Sequence, residues 1–290
     1  MRVVHLTDLH VMRPPALGDL GLKRLMGSAN LYLLGRKSKF GEDVQRAAVA
    51  TALDLRPDLV IITGDLSAQA LDAEFEAARA LLQPLLDAAP AVIIPGNHDT
   101  YVAEPAPGAR MRAWLGDWMG PTSPHLFRVG EVAVLTLETC RAHLLSSGHT
   151  PPAHLEAASR LLDGVTDHPF LFLALHYPLR GRRGQPYGPW TRALSNAAEV
   201  ERWLAGTDAI SAILHGHEHH GYQTTVPGRT RPIPIYNPGA SGYALIPDLN
   251  RTAHLNVYEV EQGALRGLRR LRWDGATFAD EPGGPYATGR

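Results

Sequence analysis

The chain has 290 residues, of which 44% are hydrophobic and 20% are charged, and its formal net charge is −1. This composition is typical of a globular protein, and the length allows one large domain or two small ones. A charge near zero argues against general binding to nucleic acid, which usually needs a basic protein. The single cysteine, Cys140, excludes an internal disulfide framework and favours a reducing compartment.

No apolar run approaches the roughly 20 residues that a membrane-spanning helix needs. Residues 2–7 already have the pattern of a buried strand, so we expect neither a signal peptide nor a transmembrane segment. These observations together predict a cytoplasmic protein.

Strands and helices alternate in the first third of the chain. Residues 2–7, 59–63 and 91–94 are apolar runs that read as buried strands. Apolar spacing predicts one helix over residues 42–55, before the second run, and another over residues 73–86, between the second and third runs. This alternation predicts a parallel sheet with helices packed over it.

The remainder of the chain departs from this alternation in three places. Residues 13–40 interrupt it with apolar and basic residues, which predict a helical cap insert after the first strand. After further buried strands at 170–175 and 209–214, the sequence is rich in predicted strands. We predict one domain over residues 1–273 and a glycine- and proline-rich C-terminal tail over residues 274–290.

Five of the apolar strands end in side chains that can bind metal ions. These are Asp8 with His10, Asp65, Asn97 with His98, His176, and His217 with His219. Any one of these endings is also explained by an ordinary polar turn. Five endings in an α/β chain favour a metal centre, and a mixture of carboxylate, amide and imidazole without thiolate suits Mn, Fe or Zn. The ligands are too many for one tetrahedral ion and about enough for two octahedral ions.

The five motifs, in order, resemble those of the calcineurin-like metallophosphoesterase superfamily. They are Asp8-Leu-His10, Gly64-Asp65, Gly96-Asn-His-Asp99, His176 and Gly216-His-Glu-His219. The resemblance implies an α/β fold, a four-layer α/β/β/α sandwich. The central motif and His176-Tyr-Pro178 are most similar to the bacterial cyclic-nucleotide-phosphodiesterase-like subgroup.

The resemblance also implies roles for individual residues. It implies one metal ion held by Asp8, His10, Asp65 and His219, and a second held by Asp65, Asn97, His176 and His217. Asp65 would bridge the two ions, and His98 would be the catalytic acid that protonates the leaving group. Asp99 either orients His98 or caps the following turn, while His215 and His220 match no ligand position.

The implied reaction is hydrolysis of a phosphodiester, cyclic nucleotides included, by a hydroxide that bridges the two metal ions. The alternatives on the same centre are a phosphomonoesterase, a pyrophosphatase and a phospholipid-headgroup hydrolase; an inactive scaffold or a DNA nuclease fits less well. Arg180, Arg182 and Arg183 follow His176 and are the candidate substrate-binding residues. We expect a small phosphoester substrate and no sequence-specific nucleic acid. A dimer, and weak contact of the insert with a membrane surface, are left open.

Overall fold

The computed structural model describes residues 1–19, 36–104, 106, 108–142, 146–167 and 169–287. Within these residues the chain forms twelve β-strands and five α-helices. The centre of the predicted helical cap insert, residues 20–35, lies outside the described residues. On either side of it are two short 3-10 turns, Leu17–Asp19 and Arg36–Lys39.

The elements follow one another as the alternating pattern predicts. In chain order they are β1 (Arg2–Leu6), α1 (Glu42–Asp54), β2 (Leu59–Ile62), α2 (Asp72–Ala88), β3 (Ala91–Ile93), α3 (Ala109–Leu115), β4 (His125–Val129), β5 (Val132–Thr136), α4 (Pro152–Asp163), β6 (Phe170–Ala174), α5 (Ala197–Leu204), β7 (Ala212–Leu214), β8 (His220–Val226), β9 (Ile233–Gly239), β10 (His254–Glu261), β11 (Ala264–Trp273) and β12 (Phe278–Asp280).

The described strands form two mixed sheets of six strands each. The first has the order β12-β11-β10-β1-β2-β3, in which β1, β2 and β3 are parallel and β10 is antiparallel to β1. The second has the order β4-β5-β6-β7-β9-β8, with β5, β6, β7 and β9 parallel. The carboxyl ends of the parallel strands carry the loops that hold the predicted ligands.

Alternate residues of each buried strand pack into different layers, because successive side chains of a strand point to opposite faces. In β1, Leu6 packs in the cluster that contains α1, α2 and α3, whereas Val3 packs between the sheets. In β6, Leu173 packs with α4 and α5, whereas Phe172 faces the other sheet. Three apolar layers therefore separate four layers of secondary structure, which confirms the predicted α/β/β/α sandwich.

The segment after Trp273, predicted as a tail, continues the first sheet. β12 pairs antiparallel with the end of β11. Beyond it, Tyr286 is buried, and its hydroxyl accepts a hydrogen bond of 2.7 Å from the side-chain amide of Asn256. Glu281 accepts a hydrogen bond of 2.8 Å from the buried guanidinium of Arg270. The C-terminal segment is therefore packed against the sheet through to residue 287.

No helix in the described part of the chain is long and apolar enough to cross a membrane. The cytoplasmic location and the oligomeric state stay predictions.

Candidate metal centre

The structure brings all eight predicted metal and catalytic residues to one edge of the sandwich. Their ligand atoms form three overlapping groups, each within 4.8 Å: Asp8, His10 and His219; His10, Asp65 and His98; and Asp65, His176 and His217. Asn97 joins the third group, with its Oδ1 3.1 Å from the Nε2 of His176. The loops after β1, β2, β3, β6 and β7 supply these side chains.

Four of these residues have a left-handed backbone, which is unfavourable for any residue with a Cβ atom. Their φ angles are 52° for Asp8, 51° for His10, 54° for Asp65 and 67° for His217. Two backbone hydrogen bonds of 2.9 Å hold the loops in place. The amide of Asp8 donates to the carbonyl of Gly64, and the amide of His10 donates to the backbone carbonyl of Asp65. Such conformations cost about 1–2 kcal/mol each, and they concentrate at functional sites.

The glycines of the second and third motifs allow the loops after β2 and β3 to touch. Gly64 has a φ of 93°, and a Cβ atom there would lie 2.4 Å from the backbone nitrogen of Gly96. A Cβ atom on Gly96 would lie 2.2 Å from Oδ1 of Asp65. Glycine is therefore required at both positions for the Asp65 carboxylate to lie between the two loops.

Asp99 joins the same two loops through its buried carboxylate. Its buried carboxylate accepts hydrogen bonds from the backbone amides of Leu66, Ser67 and Gly96 at 3.2, 2.8 and 2.9 Å. Burial, together with the nearby charge of Asp65, raises the pKa of Asp99 to about 6. These three amides precede Asp99 in the chain, so the contacts join the loops after β2 and β3 and are not the predicted cap of the following turn.

Asp65 lies between the two predicted metal positions. Its Oδ2 is 3.6 Å from Nε2 of His10 and 3.5 Å from Nε2 of His176, while its Oδ1 accepts a 2.7 Å hydrogen bond from the amide of His98. Burial alone would raise its pKa, but the neighbouring histidines, His176 foremost, hold the pKa of Asp65 well below its ordinary value. Burial likewise lowers the pKa of His176, and the carboxylate of Asp65 outweighs this and raises it to about 9.

The donor set fits cations, because several side-chain atoms with lone pairs to donate converge on the same positions. His217 donates from Nε2 to the carbonyl of Arg192 at 3.0 Å, so its Nδ1 carries a lone pair. That Nδ1 lies 2.7 Å from Oδ1 of Asn97, which is also an acceptor. The buried Oδ1 of Asp8 has no hydrogen-bond partner among the described residues. A bound cation would satisfy both arrangements.

The ring of His98 is fixed from one side and lies beside the predicted metal positions. Its Nδ1 lies 2.7 Å from the carbonyl of Ala68, to which it donates, and its ring stacks on that of Tyr101 with centroids 5.8 Å apart. Its ring is 4.8 Å from that of His10. His98 is only partly buried, so it faces the open side of the centre.

A pocket of about 580 Å³ opens over the centre. Its described lining residues are Lys39, Phe40, Asp65, Asn97, His98, Ser146, Arg192, His217, Glu218, His219, His220, Tyr243 and Arg251. It is larger than a phosphate group needs, and its lining contains three cationic side chains that can face an anionic substrate.

The three arginines predicted to bind substrate do not line this pocket in the described structure. Arg180 is held by the carboxylate of Glu201, Arg182 lines a neighbouring cavity, and Arg183 is exposed. Arg192 and Arg251 line the pocket instead, and sequence reasoning missed them. They belong to no motif and lie in loops whose path over the sandwich is not encoded in apolar spacing, so the sequence carries no sign of their position.

The described structure is thus a four-layer sandwich with carboxylate, amide and imidazole side chains gathered at one edge. The profile of the calcineurin-like phosphoesterase family matches residues 1–221, and the chain belongs to that family. The family implies a metal-dependent phosphoester hydrolase with a dinuclear site, for which the described residues supply the candidate ligand groups. No curated protein matches the chain by sequence.

Solved structures share the fold at low sequence identity. A purple acid phosphatase from yellow lupin (Lupinus luteus) seeds is 14% identical with a TM-score of 0.62, and the match covers 96% of this chain and 52% of the lupin chain. A dimetal phosphatase from Danio rerio is 14% identical with a TM-score of 0.57, covering 93% and 94%. A 5′-nucleotidase precursor from Thermus thermophilus is 14% identical with a TM-score of 0.53, covering 98% and 55%. The chain thus spans about half the length of the lupin protein.

Proposed function

We propose that the protein is a dinuclear metal-dependent phosphodiesterase. The observation that carries the proposal is the position of Asp65, whose Oδ2 lies between His10 and His176 at 3.6 and 3.5 Å. One metal ion would be held by Asp8, His10, Asp65 and His219. The other would be held by Asp65, Asn97, His176 and His217. Manganese, iron and zinc all suit this set of oxygen and nitrogen ligands.

When bound, a pair of such ions activates water and neutralises the charge of a phosphoryl group. Hydrogen bonds to backbone carbonyls orient two of the proposed histidine ligands. His176 donates from Nδ1 to the carbonyl of Thr63 at 2.7 Å, and His217 donates from Nε2 to the carbonyl of Arg192. Each hydrogen bond fixes the tautomer that presents the other ring nitrogen to the metal position.

His98 is assigned the role of general acid. Its Nδ1 proton is held by the carbonyl of Ala68, so the proton that it delivers must be on Nε2. The active form of His98 is therefore the imidazolium. Transfer of the Nε2 proton to the departing ester oxygen completes the hydrolysis.

The pocket supports a diester as substrate. Lys39, Arg192 and Arg251 place positive charge around the centre, and this focuses anionic substrates into the pocket. The volume of about 580 Å³ leaves room for the second organic group of a diester, which a monoester does not have. Cyclic nucleotides are also anionic diesters, and they are included because the sequence motifs resemble those of the cyclic-nucleotide-phosphodiesterase-like subgroup.

The test compares two substrates on the manganese-loaded protein. We expect kcat/KM for bis-p-nitrophenyl phosphate to exceed that for p-nitrophenyl phosphate, and elemental analysis to find two metal ions per chain. Asp65→Asn is the control, because it removes the shared carboxylate and should lower both metal content and both activities. A preference for the monoester overturns the diesterase assignment, and a fully loaded protein with one ion overturns the dinuclear assignment.

A further inference from the structure

A second, smaller cavity adjoins the metal pocket. Its volume is about 160 Å³, and it shares His219 and His220 with the larger pocket. It lies where β8 of the second sheet meets β10 and β11 of the first. The described residues that line it are Arg182, His219, His220, Gly221, Leu249, Asn250, Thr252, His254, Arg270 and Arg272.

The charge of this cavity is strongly positive. Three arginines line it, and no carboxylate does so among the described residues. The charge of Arg270 is balanced by Glu281, at 2.8 Å behind the cavity wall. The side chain of Arg272 has no hydrogen-bond or ion-pair partner among the described residues. A guanidinium at Arg272 that is unpaired in the described part of the chain, beside two further arginines, is the electrostatic condition for binding an anion.

His254 gives an independent indication of a ligand. The residue is 8% exposed, and neither of its ring nitrogens has a hydrogen-bond partner within 3.5 Å among the described residues, although the backbone of Thr252 is near enough to act on the ring. Leaving a buried polar group unpaired is unfavourable, and most such groups in proteins find a partner. His254 lies opposite Arg272 in the β10–β11 register, so both side chains project from the same face of the sheet.

The state of His254 suits hydrogen bonding to an anion. Burial, with a further contribution from Arg270 and Arg272, lowers the pKa of His254 well below its ordinary value. A neutral imidazole retains one N–H donor, which an oxyanion could accept alongside the guanidinium groups of Arg272 and Arg182.

We propose that this cavity binds a phosphate-type oxyanion, and that the oxyanion is a second phosphate group of the substrate that is hydrolysed at the metal centre. The second half of the proposal rests on the proposed function. Because His219 and His220 line both cavities, one extended molecule can occupy them together. The substrate class is therefore a phosphodiester that carries an additional phosphate on the group that is not cleaved off.

The first arm of the test measures the binding of inorganic phosphate to the zinc-loaded full chain by isothermal titration calorimetry. We expect two phosphates per chain, one at the metal ions and one in the cavity. Arg272→Gln should remove the second and leave the first. Arg266→Gln is the matched control, because Arg266 is an exposed arginine of the same strand outside the cavity. Arg182→Gln, in an exposed loop, gives a second variant with little risk to folding.

The second arm compares two diesters that differ by one phosphate: thymidine 5′-(p-nitrophenyl phosphate) and its 3′-phosphorylated form. We expect the 3′-phosphorylated diester to have a KM roughly tenfold lower, the ratio that one charge-assisted contact typically provides. Arg272→Gln should abolish this preference and leave kcat on the unphosphorylated diester unchanged.

The outcomes separate the two proposals. If the protein cleaves neither diester but Arg272→Gln still removes a bound phosphate, the anion site stands and the proposed hydrolase activity fails. If phosphate binds in the cavity and the two diesters have equal KM values, the second half of the proposal is overturned and free phosphate is the ligand. If Arg272→Gln and Arg182→Gln bind phosphate and both diesters as the parent does, the cavity is not an anion site.

Discussion

His98 is assigned a different role from its neighbours in the centre. It is proposed to transfer a proton, whereas they are proposed to bind metal. We expect His98→Ala to keep the metal content of the parent and to lower kcat. The loss should reach about 10²–10⁴-fold on alkyl phosphodiesters, whose leaving groups need a proton. It should be much smaller on nitrophenyl esters, whose leaving group departs without one. Steady-state kinetics on both ester types, with metal analysis, measures this difference.

Asn97 provides the contrast, since it neighbours His98 but faces the metal position. Asn97→Ala should lower metal occupancy and reduce activity on both ester types alike. An equal loss on both types in His98→Ala would remove His98 from the role of general acid.

The left-handed backbone at His10 leads to an unusual order of stabilities. With φ at 51°, alanine at position 10 keeps the steric conflict of the Cβ atom, whereas glycine removes it. We expect His10→Gly to be more stable than His10→Ala by about 1 kcal/mol in metal-free protein, measured by urea unfolding. His176, which lacks a positive φ, is the control, and there alanine should be the more stable. If alanine were more stable than glycine at both positions, His10 would not be strained.

Which site residues can be predicted from the sequence depends on where they sit relative to the strands. His10, Asp65 and His217 follow apolar runs directly, and parallel strands end at a common edge, so local pattern is enough to bring them together. Arg192 and Arg251 reach the pocket through long loops, and their positions depend on tertiary packing that no local pattern encodes. Arg180 lies outside the pocket for the same reason. Its guanidinium binds the carboxylate of Glu201 on α5, and this contact also depends on tertiary packing.

The start of α2 depends on one buried carboxylate that holds the preceding loop. Glu74 accepts hydrogen bonds from the amides of Gln69 and Leu71 at 2.8 and 3.2 Å. Burial nevertheless raises its pKa to about 7. Because the folded pKa lies above the unfolded value, the contribution of Glu74 to stability is full at low pH and is lost as the pH rises through 7.

We therefore expect the stability of the parent relative to Glu74→Gln to fall between pH 5 and pH 8, by about 2–3 kcal/mol. Urea unfolding of both proteins at the two pH values measures it. Glu76→Gln is the control, since Glu76 is exposed on the same helix and its replacement should give no such pH dependence. A constant difference between parent and Glu74→Gln would contradict the raised pKa.

The strands were predictable where they are apolar and were missed or shortened where they are not. The strand β9 continues beyond its apolar residues at 233–236 to Gly239, because β8 pairs with it as far as His220 opposite Gly239. β12 has three residues in a segment rich in glycine and proline, so no periodicity marks it. Its pairing depends on β11 offering an open edge, which is a property of the assembled sheet.

The buried ion pair at the C-terminal end affects the whole molecule, because it fastens the last described segment to the first sheet. Arg270 and Glu281 are 3% and 0% exposed. Removing one partner leaves an uncompensated buried charge, so Glu281→Gln should lower the free energy of unfolding by about 3–5 kcal/mol. Thermal or urea unfolding measures this loss.

The neighbouring pair supplies a matched comparison. Asp280 lies one residue earlier and pairs with Arg269 at 2.8 Å, with side chains 62% and 43% exposed. Asp280→Asn should change stability little, because exposed ion pairs contribute little. If Asp280→Asn and Glu281→Gln lowered the free energy of unfolding equally, burial would not explain the contribution of the Arg270–Glu281 pair to stability.

The pairing of β1 with β10 has a consequence for how the protein is made. Arg2 and Glu259 are hydrogen-bonded across these strands although 257 residues separate them in the chain. Synthesis delivers β1 and all the proposed metal ligands before β10, so every proposed ligand exists before β1, a central strand of the first sheet, has both its neighbours. Contacts between such distant segments form late and slowly. The strands β10 to β12, which contribute no proposed ligand, would therefore determine when the nascent protein can hold the proposed metal ions.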